Sequence, residues 1–365
     1  MTQAHATEGI KQLPAGLGPG ARDAPLYAAL DLGTNNCRLL IAAPTPYGFR
    51  VVEAFSRIVR LGEGLSQSGR LDPAAMDRAI EALQICAEKL KRRRPERTLA
   101  VATQACRSAS NGEAFVARVG AETGLRLRII TPREEAHLAV AGCLALLDRT
   151  LEAALVLDVG GGSTELSWVD LTDPAMSHAH RLSPDRLPIR AWTSVPIGVV
   201  TLAEQFPERL GADHGWFRQM VDHVKTHLTA QADAETLRPV FDMGRAHLVG
   251  TSGAITSLAG VHLGLERYDR NRVDGLWLTR ADCEQAADFL LGLNPRERAS
   301  QPCIGVDRAD LVLAGAAILQ AVQEVWPCER VRVADRGLRE GLLMSLIQQG
   351  KARRRRRRPR PIAQA

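Results

Sequence analysis

The chain contains no run of about 18 apolar residues, so no transmembrane helix is expected. No basic patch followed by an apolar stretch opens it, so no secretory leader is expected either. Residues 1–24 read instead as a disordered extension rich in Ala and Gly. The seven cysteines, at positions 37, 86, 106, 143, 283, 303 and 328, include no Cys-x-x-Cys pair and no Cys/His cluster with zinc spacing. That argues against a disulfide framework and a structural zinc. They read as free thiols of a reducing cytoplasm, with Cys143 filling a core position in an apolar helical pattern. Acidic residues are missing from the last fifteen positions, where Lys351, Arg353 to Arg358 and Arg360 supply eight positive charges. Without that tail the net charge of +6 becomes −2. The body is therefore near neutral, and the basic character belongs to residues 350–365, a Pro-interrupted tail expected to be disordered.

At 365 residues, with 45% hydrophobic and 24% charged residues, the chain can bury two full cores. Leu155 to Glu165, Leu-Val-Leu-Asp-Val-Gly-Gly-Gly-Ser-Thr-Glu, is the most informative stretch. It reads as a buried strand, a glycine turn and a second strand. Glycines let backbone N–H groups approach a phosphate, and the flanking carboxylates Asp158 and Glu165 can hold a divalent metal beside it. An earlier segment, Leu30-Asp-Leu-Gly-Thr-Asn-Asn36, repeats the idea. Two Asp-x-Gly turns suggest two phosphate-gripping hairpins facing one cleft, and an internal duplication.

The rest of the pattern alternates strands and helices, which argues α/β architecture. Strands are expected over 27–31, 38–43, 49–59, 98–103, 125–130, 154–159, 164–169, 247–249 and 331–333. Asp72-Pro73 is a helix start, with Met76, Ile80, Leu83, Ala87 and Leu90 on one face. Further helices are expected over 113–123, 134–147, 214–228, 310–322 and 337–349, the one over 134–147 buried because it is apolar nearly all round. Residues 171–190 read as a polar surface loop. Lys89 to Arg94 suit a helix C-terminus, and the mixed charges around Arg267, Arg270, Arg272 and Arg280 suit a solvated loop. Glu134 and Glu135 open a helix after Thr131-Pro132, where acids are expected on dipole grounds alone. Arg107 sits in a polar segment after a strand and can clamp a phosphate bidentately or form a surface ion pair. Gly250 to Ala254 opens a helix and offers a third anion site or a packing turn.

Six stretches together resemble one family. They are Asp31-Leu-Gly-Thr-Asn-Asn-Cys-Arg-Leu-Leu, Thr103-Gln-Ala-Cys-Arg-Ser-Ala-Ser-Asn, Arg133-Glu-Glu-Ala, Asp158-Val-Gly-Gly-Gly-Ser-Thr-Glu-Leu, Gly250-Thr-Ser-Gly-Ala-Ile-Thr-Ser-Leu and Leu338-Arg-Glu-Gly. In this order, across residues 26 to 345, they resemble the exopolyphosphatase and guanosine pentaphosphate phosphohydrolase family of the actin, sugar kinase and Hsp70 superfamily. The resemblance implies two ribonuclease H-like (actin-like ATPase) domains flanking a central cleft. Domain I would comprise residues 25–150 plus 335–349, and domain II residues 151–334. The chain stops soon after Leu338-Arg-Glu-Gly, as in the short two-domain type. By resemblance Glu135 is the general base, and Asp158 and Glu165 are associated with Mg²⁺ or Mn²⁺. Asp31, Gly33, Thr34, Asn35, Arg107, Gly160, Gly161, Gly162, Ser163, Gly250 and Ser252 would bind substrate. Arg38 follows the first turn, where strand alternation can point it to solvent.

The implied reaction is release of orthophosphate from the end of inorganic polyphosphate by metal-assisted water attack, in a cytoplasmic homodimer. Hydrolysis of pppGpp uses the same chemistry, and phosphate transfer from polyphosphate to ADP is a third reading. A non-enzymatic reading is a polyanion- or RNA-binding module acting through the arginine tail, with binding that collapses in salt.

Overall fold

The computed structural model describes residues 25–46, 48–208, 212–228 and 232–357. The expected N-terminal extension and the last eight residues of the arginine tail lie outside the described residues. Two sheets organise the chain. The first contains β1 (Tyr27–Leu32), β2 (Asn36–Thr45), β3 (Gly48–Ile58), β4 (Arg97–Ala102) and β5 (Arg128–Ile129), in the order β3-β2-β1-β4-β5. The second contains β6 (Ala153–Val159), β7 (Thr164–Asp170), β8 (Ile189–Val195), β9 (Ala246–Thr251), β10 (Trp277–Thr279) and β11 (Arg330–Ala334), in the order β10-β11-β9-β6-β7-β8.

The two orders express one plan. Three antiparallel strands form a meander, and the first of them continues the sheet through parallel partners: β1 pairs with β4 in one, β6 with β9 in the other. This is the ribonuclease H-like topology twice over, as the paired Asp-x-Gly turns lead one to expect. The α/β class follows from hydrophobic runs such as Leu155-Val-Leu, which are buried on both faces of a central strand.

Helix starts follow local chemistry. Asp72 accepts the Ala75 N–H at 3.0 Å ahead of Pro73, and Thr131 accepts the Glu134 N–H at 3.2 Å ahead of Pro132. The Pro132–Cys143 helix is buried continuously from Glu135 onward. It is sandwiched, touching β6, β7 and β8 of the second sheet as well as the last helix of the chain, Leu338–Arg357. That last helix returns to the first sheet, where Leu338, Leu342, Leu343, Leu346 and Ile347 share a core with Tyr27, Ala29 and Leu40.

Three expectations need correction. The strand over 125–130 shrinks to Arg128–Ile129, because β5 is an edge strand paired only with Val101 and Ala102. Residues 171–190 are not simply a polar loop: they form 3₁₀ turns that bury Met176, Ala179 and Leu187 against the second sheet. The terminal helix does not stop at Gln349 but runs to Arg357, so residues 350–357 belong to a helix. Arginine is a good helix former, and Gly350 lets the turn seat on Tyr27, where a Cβ would stand 2.1 Å from the hydroxyl. The basic run at Lys89–Arg93 pairs with one acid: Lys89, Arg92 and Arg93 all donate to Glu53, at 2.7, 2.5 and 2.6 Å.

Two helices approach through glycine. A Cβ on Gly142 would lie 2.0 Å from the Gly337 carbonyl, and one on Gly341 2.0 Å from the Leu138 carbonyl. Gly341→Ala should therefore push the terminal helix off its neighbour and destabilise the protein by about 1–3 kcal/mol, the usual cost of overpacking. A denaturant melt checks this; an unchanged midpoint would show that the crossing has slack.

Candidate active site

The ends of β1 and β6 meet across a cleft of about 390 Å³. Each strand delivers an aspartate and then turns on glycine. In the first turn Gly33 N–H donates to the Asn36 carbonyl at 2.9 Å, and in the second Gly160 N–H donates to the Ser163 carbonyl at 2.9 Å. The two turns touch: a Cβ on Gly161 would stand 2.9 Å from Thr34 Cβ and 3.2 Å from Asn35 N. No larger residue fits there, so this glycine is required by close approach rather than by φ. The amides of Thr34, Asn35, Gly161 and Gly162 take no hydrogen-bond partner among the described residues. That leaves a patch of backbone donors suited to an anion.

Five carboxylates gather at the same place: Glu135, Glu165 and Glu340 are buried, and Asp31 and Asp158 are half-buried. Asp158 lies directly across from Glu165 in the β6–β7 register, so both side chains share one face. Glu165 Oε1 accepts from Ser163 Oγ at 2.9 Å and Ser194 Oγ at 2.8 Å. Glu135, in the first turn of the Pro132–Cys143 helix, accepts from Arg107 Nη1 at 3.1 Å. Asp31 Oδ1 is buried without a hydrogen-bond partner.

This crowding changes their acidity. Burial, followed by the charges of Glu135 and Asp31, raises Asp158 to about 7. Burial and the charge of Glu165 push Glu135 up, against the pull of Arg107. Burial and Asp158 push Glu165 up, opposed by its two serines. Asp31 rises through burial, opposed by Arg38 and Arg339. Desolvation and like charge both disfavour ionisation, so a cation is the natural complement to the cluster.

Asp31, Gly33, Thr34, Asn35, Glu135, Asp158, Gly160, Gly161, Gly162, Ser163, Glu165 and Ser252 all line the cleft. Ser252 also caps the Gly253–His262 helix through the Ile255 N–H at 3.0 Å. Gly250 and Arg107 do not line it. Gly250 is a packing glycine, where a Cβ would collide with Ile255 Cδ1 at 2.7 Å. Arg107 lies behind the wall, held by Glu135, the Ile130 carbonyl at 2.7 Å and Gln104 Oε1 at 2.6 Å. Arg38 lines the cleft, opposite Asp31 in the β1–β2 register, and its guanidinium makes no hydrogen bond among the described residues.

Further lining residues, among them Arg339, Arg308 and Gln104, carried no assigned role in the sequence. Arg339, inside the Leu338-Arg-Glu-Gly motif, is a half-buried cation near Asp31. Arg308 lies over Gly253, where a Cβ would stand 3.7 Å from its guanidinium carbon. Gln104 sits at the cleft wall.

Residues 40–349 match the model of the Ppx/GppA phosphatase family. The chain belongs to this family. Over 333 residues it is 29% identical to Exopolyphosphatase 2 of Mycobacterium tuberculosis, spanning 87% of this chain and 98% of that protein. A crystal structure of the Aquifex aeolicus Ppx/GppA member aligns with a TM-score of 0.70 at 28% identity, over 89% of this chain and 98% of that one. An exopolyphosphatase from Cytophaga hutchinsonii aligns with a TM-score of 0.76 over 89% and 98%, at 22% identity, and supports the fold. The Ppx/GppA assignment supports a phosphoanhydride hydrolase. Among the described residues no helix is long and apolar enough to cross a membrane.

Asp158→Asn tests the electrostatics. An aspartate raised above its ordinary 3.8 stabilises the fold only while protonated, and that contribution is lost as pH rises through about 7. Without divalent cation, the variant should melt several degrees higher than the parent at pH 8. The gain should shrink as pH falls from 7 toward 4. A lower melting temperature at pH 8 would contradict the strained cluster.

Proposed function

We propose that this protein is an exopolyphosphatase that hydrolyses the terminal phosphoanhydride bond of inorganic polyphosphate. One observation carries the reading: a buried glutamate, Glu135, faces two touching glycine turns whose amides are free, inside one cleft. The turns at 33–35 and 160–163 bind the terminal phosphates through backbone N–H groups. Arg38, Arg308 and Arg339 face the remaining negative charge. Glu135 takes a proton from the attacking water, whose oxygen bonds to the terminal phosphorus while the bridging P–O bond breaks toward the shortened chain. Burial raises the basicity of Glu135, and Arg107 keeps it ionisable and oriented.

Mg²⁺ or Mn²⁺ fits the site. An orphaned buried Asp31 oxygen and a set of oxygen-only donors match a hard cation. Among the described residues no three acids, histidines or cysteines converge tightly enough to ligate an ion alone, so phosphate and water must complete its shell. Asp158 and Glu165 would hold it, and when bound it neutralises charge on the reacting phosphate. The chain's own residues then have little covalent work, as phosphoryl transfer needs mainly positioning and charge neutralisation.

Domain I, residues 25–150 plus 335–349, and domain II, residues 151–334, each contribute one turn. The protein works in the cytoplasm as a homodimer; its seven buried free thiols suit a reducing compartment. The same turns accept pppGpp, so side-by-side turnover of polyphosphate and pppGpp decides substrate rank. Faster release from pppGpp would displace the first choice.

Glu135→Gln should lower phosphate release by about 10²-fold or more, the usual share of a general base, with substrate binding retained. Omitting Mg²⁺ should abolish release in the parent enzyme. Full turnover in Glu135→Gln would refute the assigned base.

A further inference from the structure

A second cavity, of about 460 Å³, adjoins the substrate cleft. Thr34, Gln104 and Gly162 line both cavities, so they form the partition between them. Gln104 is the residue of that partition with a side chain long enough to reach the catalytic machinery. It does so through a continuous set of hydrogen bonds. Gln104 Nε2 donates to Ser108 Oγ at 2.8 Å, beside the second cavity. Gln104 Oε1 accepts from Arg107 Nη2 at 2.6 Å. Arg107 Nη1 donates to Glu135 Oε2 at 3.1 Å and to the Ile130 carbonyl at 2.7 Å.

The Arg107 fork therefore has two sides. Nη1 serves the base, and Nη2 is fixed by Gln104. A guanidinium is planar, so locking one nitrogen sets the direction of the other. Gln104 is also held from the other side: a Cβ on Gly162 would stand 3.1 Å from Gln104 Cγ. The side chain is thus wedged between the second phosphate turn and the arginine that orients the base.

We propose that Gln104 is a positioning residue. It aligns Glu135 through Arg107 and ties that alignment to the 160–163 turn. This rests on the reading of Glu135 as general base. Its amide does not touch substrate; it acts through the fork. Losing the acceptor loosens Arg107, which weakens the pull that keeps Glu135 ionisable. A general base must be deprotonated, so the acid limb of activity should then move to higher pH.

Gln104→Met keeps the volume and removes the acceptor, whereas Gln104→Glu keeps the acceptor. In phosphate release from polyphosphate with Mg²⁺, Gln104→Met should lose about tenfold in kcat, the lower range for an outer hydrogen-bond partner. Its KM should stay within about twofold, since the loss falls on the transition state alone, and its acid limb should shift upward. Gln104→Glu should restore most of the kcat at the alkaline plateau. If Gln104→Met keeps the parent kcat and acid limb while Glu135→Gln is inactive, the positioning role is overturned and the base assignment stands. A rise in KM at constant kcat also overturns it, by making Gln104 a binding residue. An active Glu135→Gln instead overturns the underlying reading. A folded state with unchanged melting temperature in both Gln104 variants separates these outcomes from misfolding.

Discussion

A cluster of acids drawn largely out of water in one cleft is the constraint around which this structure is arranged. Asp31, Glu135, Asp158 and Glu165 come from four separate segments, two strand ends, a strand start and a helix start. Nothing in folding alone would collect them, because each removes charge from water and repels the others. Their raised pKa values reflect that conflict, with Asp158 pushed up to about 7. The protein offsets it with nearby cations: Arg107 on Glu135, and Arg38 and Arg339 against Asp31. It also supplies two serine hydroxyls to Glu165. Stability given up at one place, with its supports built around it, is the mark of a functional site.

The duplicated plan shows how such a cluster was made from one motif. Both halves use an aspartate at the end of a central strand, a glycine turn closed by the same 2.9 Å backbone bond, and an outgoing antiparallel strand. They differ in the residue opposite the aspartate. Asp31 faces Arg38, whereas Asp158 faces Glu165. One hairpin is thereby fitted to an anion and the other to a cation, though their backbones are alike. The proposed reading, a phosphate chain with its metal, calls for both, and the two turns touch.

Much of this was legible in the residues. Asp-x-Gly after an apolar run marks the end of a strand and a tight turn, as both hairpins show. Asp72-Pro73 and Thr131-Pro132 announce helices through capping chemistry that is wholly local. What could not be read was long-range. Gly250 looks like part of an anion site but is a packing glycine, which only the position of Ile255 reveals. Arg107 looks like a phosphate clamp, yet its fork is spent on Glu135, twenty-eight residues away. Strand alternation leaves the side of Arg38 open until β1 is laid beside it. Helix propensity at Arg353–Arg357 is real, but charge density masks it in a compositional reading.

The seam between the halves is governed by backbone contact rather than by charge. The segment after β3 donates Val59, Arg60 and Gly62 amides to the carbonyls of Asn35 and Thr34, at 2.9, 3.1 and 2.9 Å. It then crosses to the second half, where Arg60 meets Asp310 at 3.0 Å and Ser66 meets Glu204 at 2.6 Å. The exposed Arg60–Asp310 ion pair is worth at most about 1 kcal/mol, so it cannot set the cleft. Glycine does: a Cβ on Gly161 would stand 2.9 Å from Thr34 Cβ and 3.2 Å from Asn35 N, and one on Gly162 3.0 Å from Thr34 Oγ1, so both approach the first half too closely for a side chain. Side chains at such points would separate the turns, and amides several ångströms apart no longer act on one phosphate. The fold therefore places its smallest residues along the line where the two halves must meet, and its most costly charges just behind it.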